Sequence, residues 1–306
     1  MFFSGCCHFK YQIIATHFRM SYCADKSLPI PLSGIKNSIK LKKMKQLRTL
    51  FLLLLLLGGI LSGYAQNQDR RPTYVLVHGA WHGGWCWQDV AQRLTDAHYK
   101  VYSPTLTGLG ERKHLIQPTV DIDTHIQDIV NLIEMEDLHE VYLVGHSYAG
   151  AVIAGVADRI PSRLHKLIFL DAMIIEDGQS PISLQPEAVR ELQLKNIQRK
   201  ENFAPFDVGL FGVTAPKMVS WVKERLSPQP YGTFAQQLRL KNQYGNGLPL
   251  VYIACTYPQL PIMKEMSEKV RADRKLNWQY REIATGHDVM LTEPKKLANM
   301  LMGLVD

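Results

Sequence analysis

The stretch Val141-Tyr142-Leu143-Val144-Gly145-His146-Ser147-Tyr148-Ala149-Gly150 constrains this chain more than any other. Its apolar, β-branched start reads as a buried strand. It stops abruptly at small residues around a serine. An alanine- and valine-rich segment, 149–157, follows and reads as a buried helix. A strand that runs straight into a helix must pass through a tight bend. The residue at the apex takes a strained backbone conformation, and only small residues fit two positions to either side. Ser147 stands at the apex, between Gly145 and Ala149, and the methyl group of Ala149 still clears the turn. Such a bend holds a hydroxyl out beyond the carboxyl ends of the strands, as a nucleophile requires. A serine between small residues is also an ordinary helix cap, so the rest of the chain has to decide.

Residues 73–78 read as a buried strand that runs into Gly79-Ala80-Trp81-His82-Gly83-Gly84-Trp85-Cys86-Trp87. A glycine-rich turn of this kind lets backbone amides point into open space. Beside a nucleophilic serine, the amides of Ala80 and Tyr148 are the candidate oxyanion donors. A helix over 88–96, a strand over 100–103 and a loop with Gly108 and Gly110 come next. In 121–135, Ile122, Ile126, Ile129, Val130 and Ile133 recur at helical spacing. After the bend and its helix, 166–171 is a strand. Residues 248–256 and 278–283 supply two more, and a helix over 293–304 closes the chain. Strands that alternate with helices predict an α/β fold: a mostly parallel sheet with helices on both faces. Its ligand site is expected beyond the carboxyl ends of the strands.

Residues 173–247 are longer than a crossover needs and mix proline, aromatic and leucine residues. They read as a helical lid inserted over that site. Phe203, Phe206, Leu210, Phe211, Met218 and Trp221 either line an apolar pocket or pack the lid against the core.

Serine needs an imidazole to take its proton, and the imidazole needs a carboxylate to orient it. In this fold the chain order is serine, acid, histidine. His287 follows the last strand, where the base belongs. His125, His139 and His165 read as solvated residues of helix surfaces and loops. His78 and His146, beside motif glycines, read as backbone supports. The loop after the lid, Cys255-Thr256-Tyr257-Pro258-Gln259-Leu260-Pro261, carries no carboxylate. The acid therefore falls to Asp171, a carboxylate at the end of an apolar run that needs a partner to be buried, with Glu176 as the alternative.

The chain has 306 residues and a formal charge of +7. Residues 1–65 hold nine Lys or Arg and one acid, leaving 26 basic and 27 acidic residues beyond Ala65. The basic excess belongs to the N-terminal segment, so nothing points to nucleic acid. Lys42, Lys43, Lys45 and Arg48 precede the apolar run 50–57, and small residues lead to Ala65. This is the form of a secretory signal peptide over 44–65, cleaved after Ala65. It is short for a membrane span, although an uncleaved anchor is the competing reading. The expected location is secreted or periplasmic, with membrane contact only through this segment. Residues 1–43 lack either period and read as a disordered upstream extension. Residues 66–306 read as the domain, with Cys86 and Cys255 unpaired and buried.

Val75-Leu76-Val77-His78-Gly79-Ala80-Trp81-His82-Gly83-Gly84-Trp85, with Gly145-His146-Ser147, resembles the plant methyl esterase and hydroxynitrile lyase branch of the α/β-hydrolases and its bacterial esterase relatives. The likeness spans the sheet, 73–171 and 248 onward, and is weak across the lid. It implies an α/β-hydrolase fold and a Ser-His-acid enzyme acting on small carboxylic esters, without cofactor or metal. Two departures stand out. The usual acid position near Tyr257 to Gln259 is vacant of carboxylates; some haloalkane dehalogenases resemble this chain in carrying an acid where Asp171 stands, but their chemistry needs a carboxylate at the position of Ser147. Hydroxynitrile lyases carry a lysine after the base and a threonine after the first-strand histidine, where this chain has Asp288 and Gly79. A non-catalytic binding module on the same sheet is the remaining alternative.

Overall fold

The computed structural model describes residues 47–49 and 72–305. The extension read over 1–43 and the signal peptide read over 44–65 lie outside these residues, apart from an exposed helical turn at 47–49. The chain divides into two compact units, 1–69 and 70–306, and everything that follows concerns the second.

Six strands form its sheet: β1 (Thr73–Val77), β2 (Lys100–Tyr102), β3 (Val141–His146), β4 (Leu164–Leu170), β5 (Leu250–Cys255) and β6 (Trp278–Ile283). Their order is β2-β1-β3-β4-β5-β6. Every neighbouring pair is parallel. β1, β3 and β5 are buried throughout and β4 nearly so, which is why they read as continuous apolar runs. The edge strands β2 and β6 are partly exposed and correspondingly mixed in sequence.

The helices are α1 (Gln88–Asp96), α2 (Ile122–Met135), α3 (Ala149–Arg159), α4 (Glu187–Arg199), α5 (Pro216–Lys223), α6 (Gly232–Ala235), α7 (Pro261–Ala272), α8 (Val289–Thr292) and α9 (Pro294–Met302). Alternate strand residues feed two apolar layers, as the pleat requires. Val75, Val77, Leu143, Leu167 and Phe169 pack with α2 and α3. Tyr74, Leu76, Val144, Ile168 and Leu170 pack with α1 and α9. Helix α2 begins at Asp121, whose carboxylate accepts from the Thr124 amide at 2.9 Å. Helix α7, with Pro261 at its first position and Met263, Met266 and Val270 inward, has no counterpart in the sequence reading.

His125 is a correction. It is fully buried rather than solvated. It sits three residues after Ile122 and four before Ile129, so it shares their inward face. Tyr148 Oη lies 3.1 Å from its Nδ1 and the Thr107 carbonyl 2.9 Å from its Nε2. His139 is exposed, and His165 is half-buried against Glu140 at 2.8 Å.

The segment between β4 and β5 holds α4, α5, α6 and short 3-10 turns. Trp81, in the turn after β1, ties it down. The Trp81 amide donates to Gln229 Oε1 at 2.9 Å, its indole donates to the Phe203 carbonyl at 3.1 Å, and its own carbonyl accepts from the Ser227 amide at 3.0 Å. Cys86 and Cys255 are free and buried. Among the described residues no helix is long and apolar enough to cross a membrane.

Candidate active site

The bend between β3 and α3 carries Ser147 at φ 55°, in the left-handed region that a side chain seldom adopts. Neighbouring backbone holds it there. The Ser147 amide donates to the Leu170 carbonyl at 3.1 Å, and its carbonyl accepts from the amides of Gly150 and Met173 at 3.1 and 3.0 Å. The small residue that the bend demands most is Gly150. A Cβ there would meet the Met173 carbonyl oxygen at 2.2 Å, whereas Ala149 is accommodated in the core. Gly79 is also constrained, though less tightly, since a Cβ there would lie 2.8 Å from His146 Nδ1 and 2.9 Å from the Ser147 Cβ. The turn after β1 is thereby pressed against the serine.

Asp171 follows β4 directly and is also left-handed, at φ 40°. It is fully buried. Its amide donates to the Ile253 carbonyl at 2.7 Å, and its Oδ1 accepts from the Cys255 amide at 3.0 Å. Its Oδ2 accepts from His287 Nδ1 at 2.6 Å. A carboxylate can only accept, so the His287 proton sits on Nδ1 and Nε2 is left as a base. Glu176 is exposed and pairs with Lys269 at 2.7 Å.

Ala80, Ser147, Tyr148 and His287 line one cavity of about 230 Å³. Ser147 and His287 both face this cavity, where His287 is bonded to Asp171 through its ring and to His146 through its carbonyl. The buried amides of Ala80 and Tyr148 donate to no protein acceptor among the described residues. Of the candidate pocket residues, Phe206, Leu210 and Phe211 line this cavity. Phe203 packs edge-on against Phe234. Met218 and Trp221 border a separate cavity of about 340 Å³, beside Trp85.

Buried histidines brace the site. His78 Nε2 accepts from the Leu106 amide at 3.0 Å, so its Nδ1 donates to the Gly79 carbonyl at 2.8 Å. Burial lowers its pKa to about 3 and keeps it neutral. Burial, then the nearby His287 ring, also pushes His146 well below its ordinary value; its Nε2 donates to the His287 carbonyl at 3.1 Å. Both act as the backbone supports expected of them. His82 and Asp288 form a pair that the sequence reading missed, buried and 3.3 Å apart. Burial opposes charge on His82, but the Asp288 carboxylate outweighs it and raises the pKa. Nothing in the local sequence marks this pair, because its members are 206 positions apart. Among the described residues no group of three His, Cys, Asp or Glu could hold a metal ion.

A parallel sheet with a strained serine after β3 and a buried acid–histidine pair after β4 and β6 is the arrangement of an α/β hydrolase. The chain belongs to the alpha/beta hydrolase family, whose model matches residues 74–300. It is 39% identical over 242 residues to a carbendazim hydrolyzing esterase of Nocardioides sp., covering 76% of this chain and 99% of that protein. It is 29% identical to methylesterase 3 of Arabidopsis thaliana, over 60% of this chain and 70% of that one. Among solved structures, an extracellular α/β-hydrolase from a Paenibacillus species superimposes with a TM-score of 0.67 at 25% identity, covering 76% and 98% of the two chains.

Proposed function

We propose that this chain is a serine carboxylesterase that works through an acyl-enzyme with Ser147, His287 and Asp171 as its triad. The observation that carries the reading is the 2.6 Å contact between His287 Nδ1 and Asp171 Oδ2, with the His287 ring on the cavity that Ser147 lines. His287 Nε2 takes the hydroxyl proton as Ser147 Oγ attacks the ester carbonyl. The oxyanion receives hydrogen bonds from the Ala80 and Tyr148 amides, which have no protein acceptor among the described residues to give up. Collapse expels the alcohol, protonated by His287, and leaves an acyl group on Ser147. Water, deprotonated by the same ring, releases the acid. No step calls on a cofactor.

The names of the relatives, an esterase and a methylesterase, support ester hydrolysis over other chemistry of the fold. A lyase reading has less support: an alpha-hydroxynitrile lyase of Arabidopsis thaliana is 31% identical, but over only 37% of this chain and 44% of its own length, and Asp288 is buried against His82 where lyases of the resembling branch carry a lysine. We also propose export through a signal peptide over 44–65; the Paenibacillus relative is itself described as extracellular.

The test is hydrolysis of short-chain nitrophenyl esters. Ser147→Ala is expected to lower kcat/KM by about ten-thousandfold or more. Asp171→Asn is expected to cost about a thousandfold or more, while Glu176→Gln leaves the rate unchanged. Labelling of Ser147 by a fluorophosphonate separates catalysis from a binding module. Wild-type turnover in the Ser147 variant defeats the proposal.

A further inference from the structure

Helix α4 buries a single side chain, and that side chain is Gln193. It is 4% exposed, whereas its neighbours Leu192 and Leu194 are 58% and 44% exposed. Stability alone would reverse this order, with leucine inside and the amide in water. Gln193 Oε1 is buried with no hydrogen-bond partner. A buried acceptor left unpaired is costly and calls for an explanation. The explanation lies in what the residue faces: Gln193 lines the same cavity as Ser147 and His287. Trp81, Tyr148, Phe206, Phe211 and Phe234 supply aromatic surface to the same cavity, beside aliphatic residues such as Val189 and Ile262. Trp81 stands edge-on to Phe206 at 5.1 Å and stacked on Phe211 at 6.0 Å, which suits flat apolar groups.

Resting on the esterase reading above, we propose that Gln193 is the specificity-determining residue of this pocket and accepts a hydrogen bond from the substrate. The substrate class is then an ester borne on a flat aromatic ring that carries an N–H or O–H donor. A ring without the donor leaves Oε1 unpaired in the complex and is discriminated against. A ring with it gives the unpaired Oε1 of Gln193 a donor.

Three acetate esters of similar size test this with the intact protein: indoxyl acetate, which has a ring N–H; N-methylindoxyl acetate, which has lost it; and 1-naphthyl acetate, which never had one. Wild type is expected to favour indoxyl acetate over its N-methyl form by about tenfold in kcat/KM, the size of one hydrogen bond. Gln193→Leu is expected to abolish that preference, lowering the rate on indoxyl acetate by about tenfold more than the rate on 1-naphthyl acetate. Gln193→Met, closer in shape, must give the same pattern should the leucine variant fold poorly. Equal loss on all three esters assigns Gln193 to packing and overturns the proposal. So does a wild-type enzyme that hydrolyses 1-naphthyl acetate without preferring indoxyl to N-methylindoxyl acetate, and the esterase reading then stands. Failure of the wild type on every ester overturns the esterase reading itself.

Discussion

Two side chains at the heart of the site, Ser147 and Asp171, sit at positive φ without being glycine. Such conformations cost about 1–3 kcal/mol each and persist only where surrounding structure over-determines them. Here each supports the other, because the Ser147 amide is held by Leu170, the residue before Asp171. The histidines around them carry a different cost. His78, His125 and His146 all have pKa values lowered by burial. Below their ordinary value of 6.5 the unfolded chain binds protons that the folded chain refuses, so stability falls as pH drops, down to the folded value of about 3 for His78. His82 has the opposite sign: its raised pKa contributes stability below pH 6.5 that is lost as pH rises through the folded value. Each neutral buried ring steepens the acid side by about 1.4 kcal/mol per pH unit. Urea midpoints are therefore expected to fall markedly between pH 6 and pH 4.5. A flat profile across that range means that these rings charge freely in the folded state.

At the scale of elements, the site depends on how tightly α3 approaches the chain leaving β4. Gly150 is the point of closest approach, against the Met173 carbonyl. Gly150→Ala must push that backbone aside, because neither element has a flexible end to yield. A loss of about 2 kcal/mol or more in stability is expected, in the range of overpacked cores. Turnover should fall with it, since the Met173 amide that holds the Ser147 carbonyl moves too. An unchanged urea midpoint together with an unchanged rate would falsify this account. The segment between β4 and β5 is held by a comparable device, with Trp81 hydrogen-bonded to both sides of the Phe203–Gln229 bridge. The turn that carries the Ala80 amide and the roof of the cavity are thus one assembly.

For the whole molecule, the charge asymmetry matters most. The acids and bases beyond Ala65 nearly cancel, and the basic excess lies before it. We propose that the enzyme is exported and loses that excess on the way. N-terminal sequencing of protein recovered from an exporting host is expected to begin at Gln66. Product that retains Met44 rejects cleavage and favours an anchor.

Much of this architecture is written in local pattern. The apolar runs of β1, β3, β4 and β5, the bend at Ser147 and the small residues around it follow from neighbours a few positions apart, so the sequence by itself determines a parallel sheet with a hydroxyl at its rim. His125 was legible too, had its spacing from Ile122 and Ile129 been followed, and α7 was obscured by Lys264 and Glu265 between its inward methionines. The tertiary structure alone decided the rest. Asp171 and His287 are 116 positions apart and meet because β4, β5 and β6 lie side by side in register. His82 finds Asp288, and Gln193 finds the cavity, for the same reason. Contacts of this kind depend on strand order and on how one helix lies over a sheet edge, and neither leaves a periodic trace in the chain.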